Sequence, residues 1–148
     1  MPAYEKILVA VDSSDEAIDV LKQAAVLIDA YKADAEVVHV AQSPTMAYGP
    51  WGEYVPLLDE DQIHARLIER LNERMVDAGL PHIPAHVVFG TPVDTLINKA
   101  NEDKADLIIV GSHGRHGVRL VLGSTANGVL HHADCDVLAV RIRETIDA

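Results

Sequence analysis

Residues able to do chemistry crowd into one stretch of the chain, Asp106–Asn127, which reads DLIIVGSHGRHGVRLVLGSTAN. Gly111, Gly114, Gly117 and Gly123 fall within thirteen positions, with Ser112, His113, Arg115, His116, Ser124 and Thr125 between and after them. Glycines let backbone N–H groups approach a ligand closely, and a helix beginning near Ser124 would turn its unpaired N–H groups and the positive end of its dipole to the same place. The chemistry outlined is the cradling of a phosphate. The same glycines also suit a plain strand-to-helix turn, and two fuller fingerprints are missing, because no GK[ST] follows them and G-x-G-x-x-G does not occur.

Catalysis needs a positioned base or nucleophile, and none emerges. Ser112, His113 and Asp12 can be drawn as a triad, but a serine and a histidine adjacent in a loop point apart. His113 with His116, or His131 with His132, matches no standard zinc spacing. A divalent ion would more naturally ride on nucleotide phosphates. Cys135 stands between Asp134 and Asp136, whose charge disfavours a thiolate, so it reads as a packed thiol. The sequence therefore predicts a binding protein rather than an enzyme, with slow turnover of a bound nucleotide left open.

The elements that must position these residues follow a regular alternation. Lys6–Val11 (KILVAV) is an apolar run that would be buried on both faces, the mark of a parallel strand. Asp12, Ser13, Ser14 and Asp15 offer N-caps for a helix whose stripe is Ala17, Ile18, Leu21, Ala24, Ala25 and Ile28, ending near Tyr31. Glu36–Ala41 is a second strand, with His39 read as a packed core residue rather than a ligand. Gln42–Pro56, holding Pro44, Gly49, Pro50, Gly52 and Pro56, reads as a long loop. Its Tyr48, Trp51 and Tyr54 either cover a ligand or partner or anchor the loop to its own domain. A second helix spans about Asp59–Ala78 on Ile63, Leu67, Leu71 and Met75, closed by Gly79 and Pro81. Ala85–Phe89 is the third strand, and Pro92 opens a helix with Val93, Leu96, Ile97 and Ala100 on its stripe. Leu107–Val110 is the fourth strand and Val137–Ile142 the fifth.

This β-α-β-α-β-α-β-α-β order predicts an α/β fold, a doubly wound five-stranded parallel sheet with helices on both faces. Ligands bind such a sheet outside the carboxyl ends of its strands, where the order reverses. With order 3-2-1-4-5 the reversal lies between strands one and four, and the loops flanking it are Asp12–Ser14 and Gly111–Asn127. Those are the two loops richest in ligand-like residues, so pattern and topology converge on nucleotide or phosphate binding.

The totals set outer bounds. At 148 residues the chain reads as one domain. With 23 acidic against 12 basic side chains, a net charge of −11 and no Lys/Arg cluster, nucleic acid is excluded as a partner. The single cysteine suits a reducing cytoplasm, and neither a membrane span nor a signal peptide is recognisable.

KILVAVDSSDEA at the start, VVHV in strand two and DLIIVGSHGRHGVRLVLGSTANGVLHHADCDVLAVR at the end together resemble the universal stress protein family, across essentially the whole chain. The resemblance implies a stress-response regulatory protein with a single domain over residues 1–148, the 3-2-1-4-5 sheet, and a homodimer formed through Val137–Ile142. It further implies an ATP site, with Mg or Mn carried on the phosphates. Ala10, Val11 and Asp12 match the end of the family's first strand, which meets adenine and ribose, and Val40 matches a strand-two backbone contact to adenine. Val110, Gly111, His113 and Gly114 match the start of the phosphate loop, and Gly123, Ser124, Thr125 and Ala126 its end. Nucleotide-binding members carry G-x₂-G-x₉-G-[ST], whereas here eight residues, Arg115 to Leu122, separate Gly114 from Gly123. That departure keeps a second reading in view, a non-nucleotide-binding dimeric interaction module of the same fold. A third, a flavin-binding or pyrophosphatase-type enzyme on a related sheet, lacks the S-G-G-x-D-S pattern expected of the latter.

Overall fold

Apolar runs too short for helices pair side by side, because a strand buried on both faces satisfies its backbone only through a ladder on each side. In the computed structural model, which describes residues 4–12, 14, 17–42, 46–48, 50–56, 60–112 and 123–141, five such strands form one parallel sheet. They are β1 (Lys6–Val11), β2 (Asp34–Ala41), β5 (Ala85–Phe89), β6 (Leu107–Gly111) and β7 (Asp136–Val140), in the order β5-β2-β1-β6-β7. Counted among themselves, the five take the predicted 3-2-1-4-5 order. The helices α1 (Ala17–Tyr31), α2 (Glu60–Asp77), α3 (Pro92–Asp103) and α4 (Ser124–His132) make the crossovers.

Alternation along the strands sorts the core into two layers. Ile7, Val9 and Val11 of β1, Val37 of β2 and Ile109 of β6 pack with Leu21 and Ala24 of α1 and Leu71 and Met75 of α2. Leu8, Ala10, Val38, Ile108 and Val110 point the other way, onto Leu96 and Ala100 of α3 and Ala126 and Val129 of α4. Strands placed on one side of β1 connect through α1 and α2, and those on the other through α3 and α4, which is what right-handed crossovers require. Val20 joins the α1 stripe as a buried residue, while Ile18 and Ala25 are half-buried.

Gln42–Pro56 is not merely a loop. Met46–Tyr48 (β3) pairs antiparallel with Tyr54–Pro56 (β4), with Gly52 at φ +79° in the turn between them. Three-residue strands amid prolines and glycines leave no alternation to read, and Pro56 fits because it closes the last rung of a two-stranded ribbon. Trp51 is 89% exposed, and its backbone N–H donates to Glu53 Oε2 at 3.0 Å, so it does not anchor the hairpin to the rest of the chain. Asp59, expected to begin α2, lies outside the described residues, as does Ile142 at the end of the expected fifth strand.

At the amino ends of the strands Asp106 clasps β1, its Oδ2 accepting from Glu5 N–H at 2.8 Å and its Oδ1 from Lys6 N–H at 3.0 Å. The helices α1, α2 and α3 stop where the chain turns left-handed, at Lys32, Gly79 and Lys104. Gly79 at φ +85° ends α2, with Leu80 N–H bonded back to Met75 O at 2.8 Å and the Leu80 side chain buried. Where α3 meets α4, a Cβ on Gly128 would lie 2.6 Å from Val93 Cγ2, so only glycine allows that approach.

Candidate functional site

The sheet forks at its carboxyl edge. The ladder between β1 and β6 ends at Val9↔Ile109, but β1 continues against β2 to Val11↔His39, and β6 continues against β7 to Gly111↔Val140. Ala10 and Val11 are therefore unpaired with Val110 and Gly111 at the point where strand order reverses, which is where sheets of this kind bind ligands. The strands carry Asp12 to one lip and Ser112 to the other.

On the first lip the Asp12 carboxylate is turned back on its own chain. Its Oδ1 accepts from Ser14 N–H at 2.9 Å and from the Ser14 hydroxyl, an Asx turn that fixes the carboxylate against the loop leaving β1. Asp12 is exposed, so the acceptor faces solvent at the mouth of the fork. Beneath it, the His39 ring reaches the Val11 carbonyl through Nδ1 at 2.9 Å. A carbonyl oxygen only accepts, so Nδ1 carries the proton. His39 is 9% exposed, a packed and satisfied core histidine as expected.

On the second lip Ser112 N–H donates to Val140 O at 2.8 Å, and Ser112 O accepts from Gly123 N–H at 2.8 Å. These bonds seat the start of α4 directly beside the end of β6. Gly123 is the N-cap, extended at φ −61° and ψ 160°, and supplies no side-chain capping bond. The first intrahelical bond runs from Asn127 N–H to Gly123 O at 2.9 Å, so the N–H groups of Ser124, Thr125 and Ala126 have no acceptor within the helix. An uncapped helix start with small residues at its first turn presents donors and a positive dipole end to an anion.

Of the residues expected at the site, Ala10, Val11, Asp12, Val110, Gly111, Gly123, Ser124, Thr125 and Ala126 all gather at the carboxyl edge around the fork, with Val40 one residue beyond the Val11↔His39 rung. Ala10, Val11, Val110 and Ala126 are buried apolar residues, so they offer a ligand backbone groups. Gly111 and Gly123 are half-buried, and Ser124 is exposed. His113 and Gly114 lie outside the described residues, as does the eight-residue segment before Gly123. Two contacts at the fork do not follow from the sequence: the backbone link through Ser112 between β7, β6 and α4, and the hydrogen bond of His39 to Val11. The signal for His39 was present, a histidine set between the apolar residues Val37, Val38 and Val40 of β2.

Other reactive groups lie away from the fork. Cys135 is half-buried before β7, and burial foremost, then the charges of Asp136, Asp106 and Asp134, push its thiol up, so it stays protonated. His131 and His132 are exposed in the last turn of α4. Among the described residues no group of three or more His, Cys, Asp or Glu is placed to hold a metal ion.

The model of the universal stress protein family matches residues 3–141. The chain belongs to the universal stress protein family. It is 37% identical to universal stress protein A homolog 1 of Coxiella burnetii over 144 residues, covering 95% of this chain and 99% of that protein. Among solved structures, UspA from Lactobacillus plantarum superposes with a TM-score of 0.73 at 28% identity, covering 95% of this chain and 98% of that one. A universal stress protein crystallised in complex with cAMP gives a TM-score of 0.68 at 29% identity, covering 95% and 99%. The family is one of stress-response proteins, and among the described residues no helix is long and apolar enough to cross a membrane.

Proposed function

We propose that this universal stress protein is a cytoplasmic regulatory protein that binds ATP in the fork between β1 and β6, with Mg or Mn on the phosphates. The observation that carries the reading is the early end of the β1–β6 ladder at Val9↔Ile109, which leaves the ends of the two strands unpaired between an acceptor lip and a donor lip. The Asp12 carboxylate suits ribose hydroxyls, which donate. The uncapped N-terminus of α4 suits phosphate oxygens, which accept. Ala10, Val11, Val40, Val110 and Gly111 supply backbone and apolar surface for the base, and His113 and Gly114 belong to the same site by resemblance. The neighbour in complex with cAMP shares adenine, ribose and phosphate with this ligand, which supports the class. Calorimetry with Mg and ATP is expected to show binding by the wild type and at least tenfold weaker binding by Asp12→Ala. Equal affinity of the two would remove Asp12 from the site, and absence of binding by the wild type would end the ATP reading.

A second reading, an interaction module that works without nucleotide, draws on β7. It is an edge strand of the sheet whose Val137, Leu138, Ala139 and Val140 are all half-buried, an apolar edge that a second copy would cover through the segment Val137–Ile142. Both readings place a homodimer there. Light scattering is expected to give twice the 16.0 kDa chain mass, and a monomer at all concentrations would contradict it.

A further inference from the structure

We propose that His39 is a positioning residue for the nucleotide site, holding the acceptor lip of the fork from below. This inference rests on the ATP reading above and concerns how that site is built.

At the fork β1 has given up β6 and keeps β2 as its neighbour. The backbone of Ala10 and Val11 has therefore lost the support of one ladder where the site needs it fixed. His39 lies on the rung opposite Val11 and spends its Nδ1–H on the Val11 carbonyl at 2.9 Å. That bond ties the side chain of β2 to the last carbonyl of β1, one peptide before Asp12. Burial protects the bond from competition by water, because the ring is 9% exposed.

The next residue on each side is a proposed ligand contact, Asp12 after Val11 and Val40 after His39. One imidazole thus sets the ribose end through the β1 carbonyl and the base end through its own backbone. An aliphatic side chain of similar size would fill the core here yet remove the side-chain donor to the Val11 carbonyl. Asparagine places an amide N–H near the position of Nδ1 and so preserves the donor.

The variants His39→Leu and His39→Asn separate packing from positioning. Two readouts are taken well below the melting temperature of each variant: ATP affinity by calorimetry, and the pH titration of the Ser14 amide shift by NMR. The Ser14 amide reports on Asp12 because its N–H donates to Asp12 Oδ1 at 2.9 Å. The expected result is ATP binding weakened at least tenfold in His39→Leu and within threefold of wild type in His39→Asn, with the Ser14 titration lost in the first and kept in the second. Wild-type affinity and titration in His39→Leu would overturn the proposal, and so would equal losses in both variants. If the wild type binds no ATP, the ATP reading fails, and the Ser14 titration alone decides whether His39 positions the Asp12 turn.

Discussion

Lys99 shows how a single charge can hold two elements together away from the site. Its ammonium lies 3.0 Å from Glu36 Oε2 on β2 and 3.1 Å from Asp103 Oδ2 one turn along α3, with all three side chains about three-quarters buried. Burial opposes the charge on Lys99, but the contacts with Glu36 and Asp103 outweigh it and hold the ammonium above its ordinary value. Burial likewise opposes ionisation of Asp103, and contacts with Lys99 and Glu36 outweigh it and hold that carboxyl below its ordinary value. A carboxyl with a lowered folded pKa contributes stability that is complete above its unfolded value, about 3.9, and is lost as the pH falls through the folded value. A raised ammonium contributes stability complete below about pH 10, lost as the pH rises through its folded value. Lys99→Met is therefore expected to lower Tm near neutral pH, where it leaves two carboxylates facing each other. The gap from wild type is expected to narrow below about pH 4 as they take up protons. Thermal melts across pH check this, and a gap independent of pH would contradict it.

At the scale of elements, the proposed site implies a trade between stability and binding at the start of α4. Most helices begin with Ser, Thr, Asp or Asn, whose side chain satisfies a first-turn N–H, but α4 begins on Gly123 with no such bond. The extended backbone of Gly123, φ −61° and ψ 160°, is open to any side chain, so glycine is not required there by conformation. Gly123→Asp is expected to raise stability by a few tenths of a kcal/mol through capping and the dipole. It is also expected to weaken ATP binding at least tenfold, by occupying the N–H groups and repelling the phosphates. Denaturant melts and calorimetry on one preparation read both, and unchanged affinity would show that α4 does not meet the phosphates. The strands and helices themselves were legible because each carries one clear periodicity: β1 from Ile7 onward and β6 are apolar since both faces are buried, and α3 has its stripe and Pro92. The hairpin was not legible, because strands as short as Met46–Tyr48 and Tyr54–Pro56 offer no repeat among five residues of Pro and Gly type between 44 and 56.

For the whole molecule, topology decides which loops come together more than any one motif does. Asp12 and Ser124 are far apart in sequence, and only the reversal of strand order at β1 and β6 brings the end of β1 and the start of α4 to neighbouring strands at one edge of the sheet. Sequence could place these residues at the carboxyl edge of the sheet because apolar runs fix the order of elements, and the order fixes where the sheet reverses. What it could not show was the fork, since the point where one ladder stops depends on pairing across the chain. The support from His39 and the link through Ser112 are hidden for the same reason, being contacts between residues 28 and 11 positions apart, His39 to Val11 and Gly123 to Ser112. With a net charge of −11 on the chain, the proposed anionic ligand would depend on the donors at the start of α4, which makes the location of binding the central issue of the proposal. The most direct measurement is a ¹H–¹⁵N NMR titration with Mg and ATP. Amide shifts are expected to concentrate at Val11, Asp12, Val40, Gly111 and Gly123–Ala126, while Lys6 and Asp106 at the opposite edge of the sheet stay fixed. A spectrum unchanged at millimolar nucleotide, or shifts centred on β7 or the opposite edge, would contradict the site at the fork.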